Sequence, residues 1–132
     1  MNLKIINSVR TNNFKDEQIM EKITGMWKES TRVLKNKDAV VYGLYYDYES
    51  NYKGDYSLSA ATEDTGDEAS IEIQSDNKYE MFVVDSTDEQ GVYKTWKKIW
   101  ECEEKGTLNR AYTYDFEKYY PNGTIEIYIA IK

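Results

Sequence analysis

Apolar residues recur along this chain in two rhythms, one of two residues and one of about 3.6, and the change of rhythm divides it into strand-like and helix-like segments. Leu3, Ile5, Ile6 and Val9 predict a first strand over 2–9, and Asn12 to Asp16 offers turn and helix-start chemistry. From Ile19 the apolar positions are Ile19, Ile23, Met26, Trp27, Val33 and Leu34, the stripe of an amphipathic helix that fades near Asn36. Val40 to Tyr48 is β-branched and aromatic and reads as a strand. Gly54-Asp55 marks a turn, after which Tyr56, Leu58 and Ala60 alternate with Ser57 and Ser59 as a half-buried strand. Thr62 to Ala69 reads as an acidic loop, Ile71 with Ile73 as a short strand, and Tyr79 to Val84 as another. Thr87-Asp88-Glu89-Gln90 has the capping-box form. The stripe Val92, Tyr93, Trp96, Ile99, Trp100 then predicts a second helix, stopped by Gly106. Ala111 to Tyr119 reads as a strand, and Asn122-Gly123 is a strong hairpin signal. Ile125, Ile127, Ile129 and Ile131 alternate with Glu126, Tyr128 and Ala130 to the end.

The two halves of this pattern look alike. Ile19, Ile23, Met26 and Trp27 return 73 residues later as Val92, Trp96, Ile99 and Trp100. Tyr46-Asp47-Tyr48-Glu49 resembles Tyr114-Asp115-Phe116-Glu117, which makes Glu49 the symmetry copy of Glu117, and each tetrapeptide is followed by a tyrosine, a glycine turn and an alternating strand. The expected architecture is therefore α+β: duplicated β-α-β-β units around a pseudo-twofold axis, with an antiparallel sheet of about seven or eight strands and two helices. A cleft at the junction of the units is the natural binding place. With no linker or low-complexity tract, residues 1–132 read as a single domain.

Composition narrows the chemistry. Histidine is absent, which removes His-based triads and most transition-metal sites, and Cys102 stands alone, which removes an internal disulfide and any CxxC zinc site. Against 24 acidic residues there are 17 basic ones, a net charge of -7, so direct nucleic-acid binding is not expected. No apolar run reaches the length of a membrane span and no signal-peptide pattern opens the chain, so a cytoplasmic location and no membrane partner are expected. Nineteen aromatics, 13 of them tyrosines, need a large core or a ligand to face. Glu63, Asp64, Asp67 and Glu68 lack the spacing of a calcium loop and read as solvated, so no metal or cofactor is expected.

Met26-Trp27, Val41-Tyr42-Gly43-Leu44-Tyr45, Asp47-Tyr48-Glu49, Trp96 with Ile99-Trp100, and above all Asp115-Phe116-Glu117-Lys118-Tyr119 followed by Glu126-Ile127-Tyr128-Ile129 carry a family resemblance. Through them the sequence resembles the GyrI-like family, the effector-binding domain of AraC-type bacterial transcription activators, and within it the single-domain integron-cassette branch. The family's proline near the end of the last strand is replaced by Ala130. The resemblance implies a small-molecule sensor fold, with an aromatic cleft for hydrophobic, often cationic compounds and an acidic residue at its base. It implies a stand-alone module, since no helix-turn-helix segment accompanies the fold.

Glu117 matches the family's acidic residue, and a carboxylate among aromatic rings calls for a cation or hydrogen-bond donor to meet it. Glu126 shares a strand face with Tyr128 and Ala130, a face that is either solvent or cleft. Trp27, Trp96 and Trp100 lie on the apolar helix stripes, where core and cleft wall are compatible roles. Tyr42, Tyr48, Tyr112, Tyr114 and Tyr128 are the remaining candidates for the wall. The function expected is binding of a small hydrophobic, preferably cationic effector in a transcription-regulation or drug-sensing context, with a protein partner left open. Two alternatives remain. One is a hydrolase using Glu117 and Glu126 as base and acid; the other is an acidic protein-interaction module. Two carboxylates converging in a closed pocket favour the first, and an absent cleft favours the second.

Overall fold

The structure, a computed structural model, describes residues 1–34, 39–63, 71–74 and 76–132. Nine elements follow in order: β1 (Asn2–Thr11), α1 (Ile19–Val33), β2 (Val41–Tyr46), β3 (Tyr56–Glu63), β4 (Ile71–Glu72), β5 (Lys78–Val83), α2 (Gly91–Glu104), β6 (Asp115–Tyr119) and β7 (Ile125–Ile131). The expected elements are all present. The expected loop from Thr62 loses its first two residues to β3, and its remainder lies outside the described residues, as do Asn36 and the acidic positions Asp64, Asp67 and Glu68.

One antiparallel sheet of seven strands runs β4-β1-β3-β2-β6-β7-β5. Without the short edge strand β4 it is two like halves, β1-β3-β2 and β5-β7-β6, joined where β2 pairs with β6. This is the duplicated β-α-β-β arrangement, with its pseudo-twofold axis through the β2–β6 pair. Gly43 stands opposite Glu117 at the middle of that pair.

The tetrapeptide likeness is not part of the duplication. Tyr46 to Glu49 runs off the end of β2, whereas Asp115 to Glu117 opens β6. The positions that face each other across the axis are Gly43 and Glu117, so exposed Glu49 is not the counterpart of Glu117. A repeat of four residues in a chain rich in Tyr, Asp and Glu is carried by composition, while the helix stripes and strand order are carried by packing.

Both helices cover the same face of the sheet. Met26 of α1 is buried with Tyr56, Leu58 and Ala60, and Trp96 and Ile99 of α2 with Ile127 and Ile129. Each aliphatic side chain taken fully from water here contributes roughly 1.5–3 kcal/mol. The opposite face holds a second core of Leu3, Tyr42, Leu44, Ala61, Ile73 and Phe116, continued by an aromatic stack in which Phe116 meets Tyr128 at 4.8 Å and Tyr79 at 5.4 Å. Strand alternation separates the two cores: Gly43, Tyr45, Glu117 and Ile127 point to the helices, and Tyr42, Leu44, Phe116 and Tyr128 point away.

Two turns behave as their residues dictate. Gly123 takes φ +92° in the β6–β7 hairpin, and Gly106 takes φ +78° to end α2, both values that favour glycine. The start of α2 differs from the capping-box expectation. Gln90 is the cap and makes no side-chain bond; Thr87 donates instead to Asp85, and Asp88 accepts from the Gln90 amide. Two successive Asx turns do the capping work. Ala111 to Tyr114 precede the strand rather than belonging to it: Tyr112 is left-handed at φ +55°, which breaks the extended run.

Candidate functional site

Glu117 projects from the centre of the sheet toward the groove between the helices and is 2% exposed. Its Oε2 accepts hydrogen bonds from the Tyr45 hydroxyl at 2.8 Å and the Trp96 indole N–H at 2.7 Å, and its Oε1 accepts from the Tyr119 hydroxyl at 2.8 Å. Among the described residues no ammonium or guanidinium pairs with it. Burial pushes the Glu117 carboxyl above its ordinary value, and the three donors pull back only part of that rise. Burial beside this carboxylate likewise pushes the Tyr45 and Tyr119 hydroxyls far up, which keeps them protonated as donors.

The carboxylate has room because its neighbour is a glycine. A Cβ at Gly43 would lie 2.8 Å from Glu117 Oε1 and 3.1 Å from the Trp27 ring. A glycine inside an aromatic, β-branched strand marks such a close approach. Trp27 closes the α1 side, with its ring 5.5 Å from that of Tyr119.

Above Tyr45 and Trp96 lies a half-open cavity of about 110 Å³, lined from both helices and the sheet by Asn13, Ile23, Tyr45, Tyr48, Tyr52, Tyr56, Tyr93, Trp96, Trp100 and Arg110. Its floor is the pair Tyr45–Trp96, with ring centroids 4.9 Å apart. Glu117 therefore sits just beneath the cavity, behind two of its own donors. At the mouth, Tyr52 stacks on Trp100 at 5.5 Å and 12°, and exposed Phe14 leans on Trp100 at 5.7 Å.

A second polar centre adjoins the cavity. Arg110 and Asp115 form a buried ion pair at 2.7 Å, 3% and 0% exposed. Tyr48 donates its hydroxyl to the same Asp115 oxygen, and the Ala130 amide donates to the other at 2.8 Å. Arg110 lies over the rings of Tyr112, Tyr48 and Trp96 at 4.3, 5.8 and 5.9 Å. Trp96 thus touches both centres.

Among the side chains expected from the sequence, Glu117, Tyr48, Trp96 and Trp100 come together here, with Trp27 and Tyr112 immediately behind the walls. Tyr42, Tyr114, Tyr128 and Glu126 do not. They belong to the opposite face of the sheet, as Glu126 pairs with Lys118 and Tyr128 with Phe116. Tyr42 bonds Glu63, and Glu126 accepts from Tyr120 and Tyr128 at 2.7 and 2.9 Å. Strand parity correctly linked Glu126 with Tyr128; it could not say which face Glu117 took. Tyr45, Tyr52, Tyr56, Tyr93 and Arg110 were not anticipated. Gly43 was the available signal for Tyr45, because both lie on the face that a missing Cβ opens.

The comparisons agree with the family and fold read above. The sequence profile of the Cass2 family, described as integron-associated effector binding protein, matches residues 4–131. A Bacillus subtilis (strain 168) protein named "Putative transcriptional regulator protein YobU" is 29% identical over 123 residues, covering 81% of this chain and 75% of that protein. The crystal structure of the integron cassette protein VCH_CASS2, from the mobile metagenome of Vibrio cholerae, superposes with a TM-score of 0.70 at 27% identity, covering all of this chain and 92% of that one. No helix among the described residues is long and apolar enough to cross a membrane. The chain belongs to the family of integron-associated effector binding proteins.

Proposed function

We propose that residues 1–132 act as one effector-binding domain whose effector is a small, hydrophobic organic cation, held between α1 and α2 and read out in transcriptional regulation or drug sensing. The observation that carries this reading is Glu117: a buried carboxylate with no counter-ion among the described residues, beneath an aromatic cavity. An unpaired charge in such a place is costly unless something of opposite sign approaches. A cation on the Tyr45–Trp96 floor meets two ring faces, each contributing about 0.5–2 kcal/mol, and the carboxylate behind them. Uncharged aromatic compounds gain only the ring contacts.

The alternatives receive less support. A hydrolase working with Glu117 and Glu126 needs both carboxylates in one pocket, and these two lie on opposite faces of the sheet. An acidic docking surface needs no cavity.

Glu117→Gln tests the reading, because it preserves shape and removes the charge. Benzylamine should lose about 1.5–3 kcal/mol of affinity, about ten- to a hundredfold, measured by calorimetry or by emission of the cavity tryptophans. Benzyl alcohol should bind wild type and variant alike. Equal benzylamine affinity in both proteins would remove Glu117 from the site.

A further inference from the structure

Arg110 is buried to 3% yet incompletely satisfied. Its Nη2 is spent on Asp115, while Nε and Nη1 are buried and have no hydrogen-bond partner among the described residues. Nη1 lies 3.8 Å from Glu103 Oε1, beyond hydrogen-bond reach, and both Glu103 oxygens already accept from the Tyr112 hydroxyl. Buried arginine donors are almost always paired, so two idle nitrogens on one guanidinium at a cavity wall require an explanation. Arg110 lines the cavity, and Trp96 separates it from Glu117: the indole N–H points to the carboxylate, and the guanidinium lies 5.9 Å from the ring.

We infer that the effector carries a hydrogen-bond acceptor, a carboxylate or a carbonyl, at the end opposite its cationic group, and that Arg110 receives it. The inference rests on the proposed cation site and extends it: Glu117 lies beneath the cavity floor and Arg110 in its wall, with Trp96 between them. Asp115 already balances one positive charge of Arg110 and holds the guanidinium in place, which leaves its other edge to recognise an acceptor with directional bonds. Tyr112 lies over the guanidinium at 4.3 Å from a left-handed backbone and holds its plane in place. A half-open cavity of about 110 Å³ has room for no more than one aromatic ring, so the probe is a single ring with the two groups para to one another.

The experiment compares benzylamine, benzoate and 4-(aminomethyl)benzoate by calorimetry on wild type, Arg110→Lys and the charge-free pair Arg110→Gln/Asp115→Asn. Arg110→Lys retains a cation for Asp115 and loses the second edge of the fork. The double variant leaves no buried charge unpaired and serves if the lysine protein does not fold. In wild type, 4-(aminomethyl)benzoate should bind at least tenfold more tightly than benzylamine. That advantage, read as the ratio of the two affinities within each protein, should vanish in either variant. A zwitterion no tighter than benzylamine in wild type would overturn the Arg110 pole and leave the Glu117 reading standing. Benzoate bound by wild type and lost in Arg110→Lys, with benzylamine unbound, would support Arg110 and overturn the cation site. Failure of all three compounds to bind wild type would overturn both.

Discussion

Gly43→Ala is the smallest change that reaches the buried carboxylate, and its cost can be worked from contacts. The new methyl would stand 2.8 Å from Glu117 Oε1 and 3.1 Å from the Trp27 ring. The first distance is roughly half an ångström short of ordinary van der Waals contact. The end of a glutamate side chain usually yields cheaply. Here it is pinned by Tyr45, Trp96 and Tyr119 at 2.7–2.8 Å, so a shift of that size stretches at least one of the three bonds. Overpacking of this kind costs about 1–3 kcal/mol. Replacing glycine within a strand returns about 0.5–1 kcal/mol, so the net loss should be roughly 0.5–2 kcal/mol. Urea denaturation of Gly43→Ala, Glu117→Ala and the double variant separates the contributions. With Glu117 shortened, the Gly43 substitution should cost less or turn stabilising, the remaining contact being Trp27. The same penalty in both backgrounds would refute the claim that Gly43 exists to admit the carboxylate. So would a Gly43→Ala protein more stable than wild type.

Trp96→Phe keeps a ring on the cavity floor and removes one donor from Glu117; stability at neutral pH should fall by about 1–2 kcal/mol, and an NMR titration of the carboxyl carbon should place Glu117 higher than in wild type. The pH dependence has a fixed sign: a carboxyl raised on folding binds its proton more tightly in the native state, so its contribution is fully favourable at low pH and is lost as pH rises from the ordinary carboxylate range through the raised value. The melting-temperature difference between Glu117→Gln and wild type should therefore widen in favour of the variant over that interval, and a constant difference would contradict the raised value. Benzylamine binding to wild type should strengthen over the same interval and release a proton below it, which calorimetry in buffers of different ionisation enthalpy measures directly.

Much of the fold was legible because periodicity reports burial. The stripes beginning at Ile19 and Val92 each bury one helix face, and the isoleucine alternation from Ile125 fixes which side of β7 faces α2. The site was only half legible. Strand parity groups residues within one strand, but the face shared by Glu117 and Tyr45 depends on the β2–β6 register, a contact between strands more than 70 residues apart. Tyr42 and Tyr128 have the same composition and spacing as true wall residues and differ from Tyr45 only in parity. Arg110 was hidden for another reason. It follows α2 in an irregular segment where no rhythm predicts burial, and its partner Asp115 falls within the tetrapeptide that looks like a repeat.

The duplication explains why a carboxylate can occupy this place at all. On a symmetric axis, residues opposite one another in β2 and β6 would be identical, and two glutamates at the Gly43–Glu117 spacing would put like charges in contact inside the core. Two glycines would leave the axis empty of chemistry. One of each gives a charge and the space to hold it. The helices have diverged in the same sense. Ile23 and Trp96 hold equivalent stripe positions and both line the cavity, yet only Trp96 brings an N–H to the carboxylate. Trp27 and Trp100 are equivalent too, but Trp27 seals the Gly43 side while Trp100 stacks on Tyr52 at the mouth. Glu117 and Arg110 consequently lie on either side of Trp96, a residue of α2 alone. Symmetry supplied two walls; the differences between the halves supplied a polarity.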